Sequence, residues 1–246
     1  MQRTPSIPPA LRDQRIVARL AAPLWLPALA VFMRFGMGWR IDGASALRER
    51  FRALRGAGAP LLVCPNHLTM VDSALVASAL APARFYLRDF AALPWNLPER
   101  RHFAARWWSR ALVWLLKCVP IERGGSRAEI GDVLAKAGAL LAAGEVVLVF
   151  PEGRRSRSGR IEVDANTWGV GRLVGAVPGC HVLCVYLRGR SQTAYGALPR
   201  RGERFRVAFE LLEPKSDAAG VRRALDLSRQ VLASLAALEA RLEPSA

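Results

Sequence analysis

Three stretches of the chain place reactive side chains directly after short apolar runs. The first is Cys64-Pro65-Asn66-His67-Leu68-Thr69-Met70-Val71-Asp72. A histidine in a turn, with an aspartate five residues later at a helix start, suits general-base chemistry. The carboxylate fixes the tautomer and stabilises the imidazolium, and the other ring nitrogen is left to take a substrate proton. No G-x-S-x-G nucleophile elbow is present, so the pair suits direct activation of a substrate hydroxyl better than an acyl-enzyme. The structural alternative is that Asp72 only caps a helix and His67 only fills a turn. Imidazole chemistry has few other sources, because the remaining histidines are His102 and His181.

The second stretch is Phe150-Pro151-Glu152-Gly153-Arg154-Arg155-Ser156-Arg157-Ser158-Gly159. Glycine lets backbone approach a ligand, and arginine offers a forked donor to phosphate. Glu152 is placed to hold one of these arginines. The alternative is a solvated basic loop. The third stretch, Val119-Pro120-Ile121-Glu122-Arg123-Gly124-Gly125, again runs an apolar segment into a glycine turn with an arginine. Cys64, Cys118, Cys180 and Cys184 sit in apolar surroundings without a C-x-x-C pair. They read as buried free thiols rather than a zinc site or a disulfide framework, and no metal is expected.

The elements that must position these residues follow from hydrophobic patterning. Strands are expected at 60–65, 84–88, 119–121, 145–150, 181–187 and 204–212. Helices are expected at 44–55, 71–80, 99–117, 126–143 (with Gly144 at its C-terminal cap) and 217–242. The last carries Val221, Leu225, Leu232, Leu235 and Leu242 on one stripe. Apolar strands alternating with helices predict a single α/β domain with a mixed, mostly parallel sheet covered on both faces. In such sheets, sites form at the carboxyl ends of strands.

With 246 residues, 52% of them hydrophobic, the chain can bury a sizeable core, and wholesale disorder is excluded. It holds 36 Lys+Arg against 20 Asp+Glu, a net charge of +16, and all the basic residues but Lys117, Lys136 and Lys215 are arginines. That balance points to nucleic acid, phospholipid head groups or a phosphorylated substrate. Nucleic acid is not expected: the arginines are not interleaved with aromatics, and no helix-turn-helix or RNA-binding signature appears. An apolar run from Leu20 to Met33, flanked by Arg19 and Arg34 and interrupted by Pro23 and Pro27, falls short of the roughly 20 residues of a spanning helix. It fits a signal peptide poorly. Residues 1–40 are therefore expected to form a helical segment that lies in a membrane interface or packs on the remainder, residues 41–246.

The three stretches together resemble the glycerolipid acyltransferases, which include lysophosphatidic acid and glycerol-3-phosphate acyltransferases. Asn66, His67 and Asp72 match the family's N-H-x4-D motif. Ile121, Arg123 and Gly124 match its second motif. Phe150, Pro151, Glu152, Gly153, Arg155 and Ser156 match F-P-E-G-T-R-S, with Arg154 where the family has threonine. Val177-Pro178-Gly179-Cys180 is a loose match to a fourth motif. The resemblance spans roughly residues 40–212. It implies His67 as base and Asp72 as its orienting partner. Asn66, Arg123, Glu152, Gly153, Arg155 and Ser156 would bind the substrate. The acyl donor would be acyl-CoA or acyl carrier protein, with no further cofactor. The acceptor would be a lysophospholipid or glycerol phosphate, lysophosphatidic acid first among them, taken at the anionic cytoplasmic face of a membrane by a peripheral or monotopic enzyme. The Trp/Leu-rich helix at 103–116 is a candidate wall for the acyl chain. A non-phosphate lipid or a specialised-pathway intermediate is the alternative acceptor. A non-catalytic nucleic-acid- or lipid-binding protein is the alternative of a different class.

Overall fold

The computed structural model describes residues 7–100, 107–122, 124–164, 167–193 and 195–243. Among them, one sheet holds β1 (Arg40–Asp42), β2 (Leu61–Pro65), β3 (Trp95–Asn96), β4 (Val147–Leu148), β5 (His181–Gly189) and β6 (Arg204–Leu212). Their order is β1-β6-β5-β2-β4-β3. Neighbours run parallel except β5 and β6, which form an antiparallel pair. The helices are α1 (Pro9–Val31), α2 (Ala44–Ala57), α3 (Asp72–Leu80), α4 (Ala83–Arg88), α5 (Trp107–Leu115), α6 (Arg127–Ala142), α7 (Gly169–Ala176) and α8 (Gly220–Leu242).

The strand sequences are apolar at successive positions because both faces of the sheet are covered. Leu61, Val63, Leu183, Val185 and Leu187 join one core with α1 to α4. Leu62, Cys64, Val182, Cys184 and Tyr186 join a second core with α6, α7 and α8. The α/β architecture with a mixed, mostly parallel sheet is the one the sequence predicts. Local signals delimit α6 clearly. Ser126 Oγ accepts from the Glu129 N–H, Glu129 Oε2 accepts from the Ser126 N–H, and Gly144 follows the helix at φ +80°. That capping box and left-handed glycine close both helix ends.

Several elements differ from expectation. Residues 84–88 are helical, not a strand: α4 starts after Pro82, and neighbouring Phe85 and Tyr86 pack into the same core, whereas a strand would send them to opposite faces. Residues 119–121 form no strand. Cys118 and Ile121 make isolated bridges to Asn96 and Glu99, and Pro120 between them has no N–H to continue a ladder. The 145–150 strand shrinks to Val147–Leu148, with single hydrogen bonds from Trp95 N–H to Val146 O and from Val149 N–H to Val63 O on either side. In α8 the buried stripe is Ala224, Leu227, Val231, Leu232, Leu235 and Leu238, whereas Val221 is 70% exposed, at the start of the helix. Of the helix expected at 99–117, Trp107–Leu115 is seen as α5, and residues 101–106 lie outside the described residues.

The helix α1 runs through both Pro23 and Pro27, and its end widens into a π-helical turn at Phe32–Gly36. One face is buried: Ala18, Ala22, Leu26 and Met33 belong to the core. Gln14 Nε2 donates to the carbonyls of Trp114 (2.8 Å) and Cys118 (3.0 Å). Arg15 Nε meets Glu145 Oε1 at 2.6 Å. Glu145 is itself buried against Lys117 Nζ (2.7 Å) and Trp95 Nε1 (2.8 Å), and Lys117 Nζ also donates to Phe90 O and Leu93 O. The opposite face exposes Ile16, Leu20, Leu24, Val31 and Phe35, at helical spacing. Among the described residues, Pro9–Gly36 is one helix long and apolar enough to cross a membrane, with mean hydropathy 1.8 over its most apolar 18-residue stretch.

Candidate active site

The parallel ladder between β2 and β5 ends at Pro65 and Val185. Asn66 carries it one step further. Its N–H donates to Val185 O, its Nδ2 to Leu187 O (3.1 Å), and its Oδ1 accepts from the Leu187 N–H (2.7 Å). The side chain that the resemblance assigns to substrate is thus engaged with strand backbone, and it fixes where the following turn starts.

In that turn His67 Nδ1 lies 3.0 Å from Asp72 Oδ2. Asp72 begins α3 and is buried. Its Oδ2 also accepts from the N–H groups of Leu68 (2.6 Å) and Thr69 (2.7 Å), and its Oδ1 accepts from the Thr69 hydroxyl. Asp72 is not the cap of α3, which starts after Val71 without a side-chain cap; its carboxylate instead folds the preceding turn and faces the imidazole. With a carboxylate at Nδ1, the ring proton belongs on that nitrogen and Nε2 is the free acceptor. The Phe150 ring stacks on the imidazole, 3.9 Å between centroids and 18° between planes.

The glycine-arginine loop holds the same residue from behind. Glu152 Oε1 accepts from the His67 N–H at 3.0 Å, and the Ser156 N–H donates to His67 O at 2.9 Å. Glu152 was expected to hold an arginine; instead it takes a main-chain donor. Burial pushes its carboxyl up to about 8, against the pull of the His67 N–H and with help from the nearby carboxylates of Glu162, Glu239 and Asp72. Ser156 is buried, and its hydroxyl donates to Arg160 O. Gly153 adopts φ +67°, which suits glycine. Arg154 points to solvent and pairs with Glu162 at 2.8 Å, while Arg155 is half-buried and donates to Gly196 O at 3.2 Å. Arg123 lies outside the described residues. Gly171 in the Gly169-Val170-Gly171-Arg172 stretch serves packing. A Cβ on Gly171 would stand 1.8 Å from Ala224 O, where α7 crosses α8.

A cavity of about 840 Å³ opens beside this turn. His67, Phe150 and Arg155 line it, and so do Val71, Ala74 and Ala77 along α3. Leu26 and Leu29 of α1 and Met33 of the π-helical turn after it form another wall, with Val113 of α5 and the following Leu116. The 103–116 segment thus contributes lining residues, although Phe103 lies outside the described residues. His181, by contrast, pairs with Leu61 at the far end of β2.

Sequence reasoning missed three contributors. Phe150 was seen as a motif residue, not as the ring under His67. Arg188 is buried at the end of β5, and its guanidinium donates to the carbonyls of Gly159, Gln192 and Thr193 and meets Tyr186 Oη. A charged residue closing an otherwise apolar strand was the available signal. Nothing in the pattern announced the third, Tyr195. A family model described as Acyltransferase matches residues 42–188, which include the His67 turn, the glycine-arginine loop and Arg188 but not the cavity wall from α1. A comparison with curated proteins found no match.

Proposed function

Because this chain belongs to the acyltransferase family, we propose that it is a membrane-associated O-acyltransferase of lysophospholipid or glycerol phosphate, with lysophosphatidic acid the leading acceptor. The single observation that carries the reading is the His67–Asp72 pair at the wall of a largely apolar cavity. His67 Nε2 takes the proton of the acceptor hydroxyl while Asp72 stabilises the imidazolium. The acceptor oxygen attacks the thioester carbonyl of acyl-CoA or acyl carrier protein. The tetrahedral intermediate collapses with loss of the thiolate, which recovers the proton from His67.

Arg155 binds the acceptor phosphate, joined by Arg123, which the resemblance gives the same role. The apolar walls from α1 and α3 take the acyl chain. Residues 1–40 then serve as a monotopic anchor on the cytoplasmic face, and residues 41–246 as the catalytic domain.

The test crosses acyl-CoA and acyl-carrier-protein donors with lysophosphatidic acid, glycerol phosphate and phosphate-free lysolipids, following thiol release. Turnover that requires a phosphate-bearing acceptor supports the reading. Turnover only with a phosphate-free lysolipid replaces it with the non-phosphate alternative, and no thioester turnover with any acceptor removes it.

A further inference from the structure

The connection between β5 and β6, residues 190–203, lies outside the segment matched by the family model, yet it is stitched to the candidate site. The Gly196 N–H donates to Leu68 O (3.0 Å), and the Met70 N–H donates to Ala197 O (3.1 Å). The loop therefore pairs with the turn between His67 and Asp72 on both sides of Thr69. Gly196 O accepts from Arg155 Nη1 (3.2 Å), and the Tyr195 ring lies 5.6 Å from the Arg155 guanidinium carbon. The base of the loop is fixed by buried Arg188, which binds Gln192 O and Thr193 O on this side and Gly159 O in the glycine-arginine loop on the other.

A long arginine on a half-exposed loop samples many rotamers, and ordering it costs binding free energy. A ring on its face and a carbonyl on one nitrogen remove that freedom and leave the other guanidinium N–H groups for a ligand. We infer that Tyr195 is a positioning residue for phosphate recognition: with the Gly196 carbonyl it aims Arg155 at the acceptor's phosphate, and the β5–β6 loop sets the reach between that guanidinium and the His67 imidazole. This rests on the reading of Arg155 as the phosphate ligand. Because one strap holds both groups, acceptors are selected by the separation of their hydroxyl and phosphate.

Tyr195 is 47% exposed, so its replacement spares the core. The experiment measures KM for lysophosphatidic acid, KM for the acyl donor, and competition by monoacylglycerol as a phosphate-free analogue. It uses the full-length wild type, Tyr195→Ala, Tyr195→Phe, Arg155→Lys and the Tyr195→Ala/Arg155→Lys double variant. Tyr195→Ala should raise KM for lysophosphatidic acid about two- to fivefold, as expected for losing an exposed cation–π contact. Donor KM, kcat and monoacylglycerol competition should not move, and Tyr195→Phe should behave as wild type. In the Arg155→Lys background the alanine change should add little. Full additivity, an equal effect on monoacylglycerol competition, or a phenylalanine variant as poor as alanine overturns the inference. A phosphate-selective defect in Arg155→Lys with a silent Tyr195→Ala overturns the inference alone. A silent Arg155→Lys overturns both it and the phosphate reading on which it rests.

Discussion

The main-chain N–H of His67 donates to the carboxylate of Glu152 across 85 residues of sequence, at 3.0 Å. Two motifs that read separately as a base and a phosphate loop are therefore mechanically one object. The loop grips the histidine's peptide on both sides, with Glu152 on its N–H and Ser156 on its carbonyl.

This contact predicts a graded response at Glu152. Glu152→Gln keeps a carbonyl oxygen for the His67 N–H, whereas Glu152→Ala leaves a buried donor unpaired, at a cost of about 1–3 kcal/mol. The alanine variant should lose kcat and stability together, and glutamine should retain most of both. Equal kinetic damage from the two changes, with stability intact, would instead favour direct contact between the carboxylate and substrate.

A pH dependence follows from the same side chain. Its carboxyl is raised to about 8 from an ordinary 4.5. Between those values the folded protein holds a proton that the unfolded chain has released. The Glu152 contribution to stability is thus fully present below about pH 4.5 and is lost as pH rises to about 8. Melting temperature measured across that window should fall with rising pH more steeply in the wild type than in Glu152→Gln. Parallel profiles would show that the residue does not carry the effect.

His67→Ala should lower kcat by roughly 10²–10⁴-fold while leaving the thermal transition nearly unchanged. His181→Ala, at the far end of the sheet, and His102→Ala should each stay close to wild type. A His67 variant that retains more than a tenth of the rate would remove this side chain as the base.

The part of the site that could be read from sequence is the part encoded locally. The H-x4-D turn closes on itself through Leu68, Thr69 and Asp72, so its geometry is encoded in one short stretch, although only its combination with the glycine-arginine motif made it specific. The partner of Glu152 was not legible because it lies at another strand's end, and sequence neighbours made the arginines look like its natural company. Tyr195 was invisible because its contact exists only once the β5–β6 hairpin has folded back over the site. In the scaffold, long apolar strands at the sheet centre were legible. Residues 84–88 were not, because Phe-Tyr-Leu favours a strand by composition, and only the Pro82 start and the packing of both Phe85 and Tyr86 into the same core reveal a helix.

The exposed face of α1 gives a membrane test. Leu20 and Leu24 are 75% and 79% exposed, so Leu20→Glu/Leu24→Glu should leave the core intact. Burying one such side chain in hydrocarbon is worth about 1.5–3 kcal/mol, so vesicle binding should drop by at least tenfold. Binding of the wild type should strengthen with anionic lipid and weaken with salt. Unchanged flotation of the double variant would remove α1 as the anchor. Deleting the helix is a poorer test, since Ala18, Ala22 and Leu26 belong to the core.

The docking of α1 also sets a timetable for synthesis. Arg15 waits for Glu145, 130 residues later, and Gln14 waits for Trp114, 100 residues later. At roughly 5–20 residues per second of translation, the Arg15 partner arrives about 7–26 s after the helix itself. For that interval the Arg15 half of the polar latch is unsatisfied, and the exposed apolar face of α1 is open. Whatever meets the nascent chain first, bilayer or chaperone, competes with a protein interior that has not yet been made. The fold is thus expected to close around a helix already bound elsewhere, and the ion pair at Glu145 cannot be among the first contacts it makes.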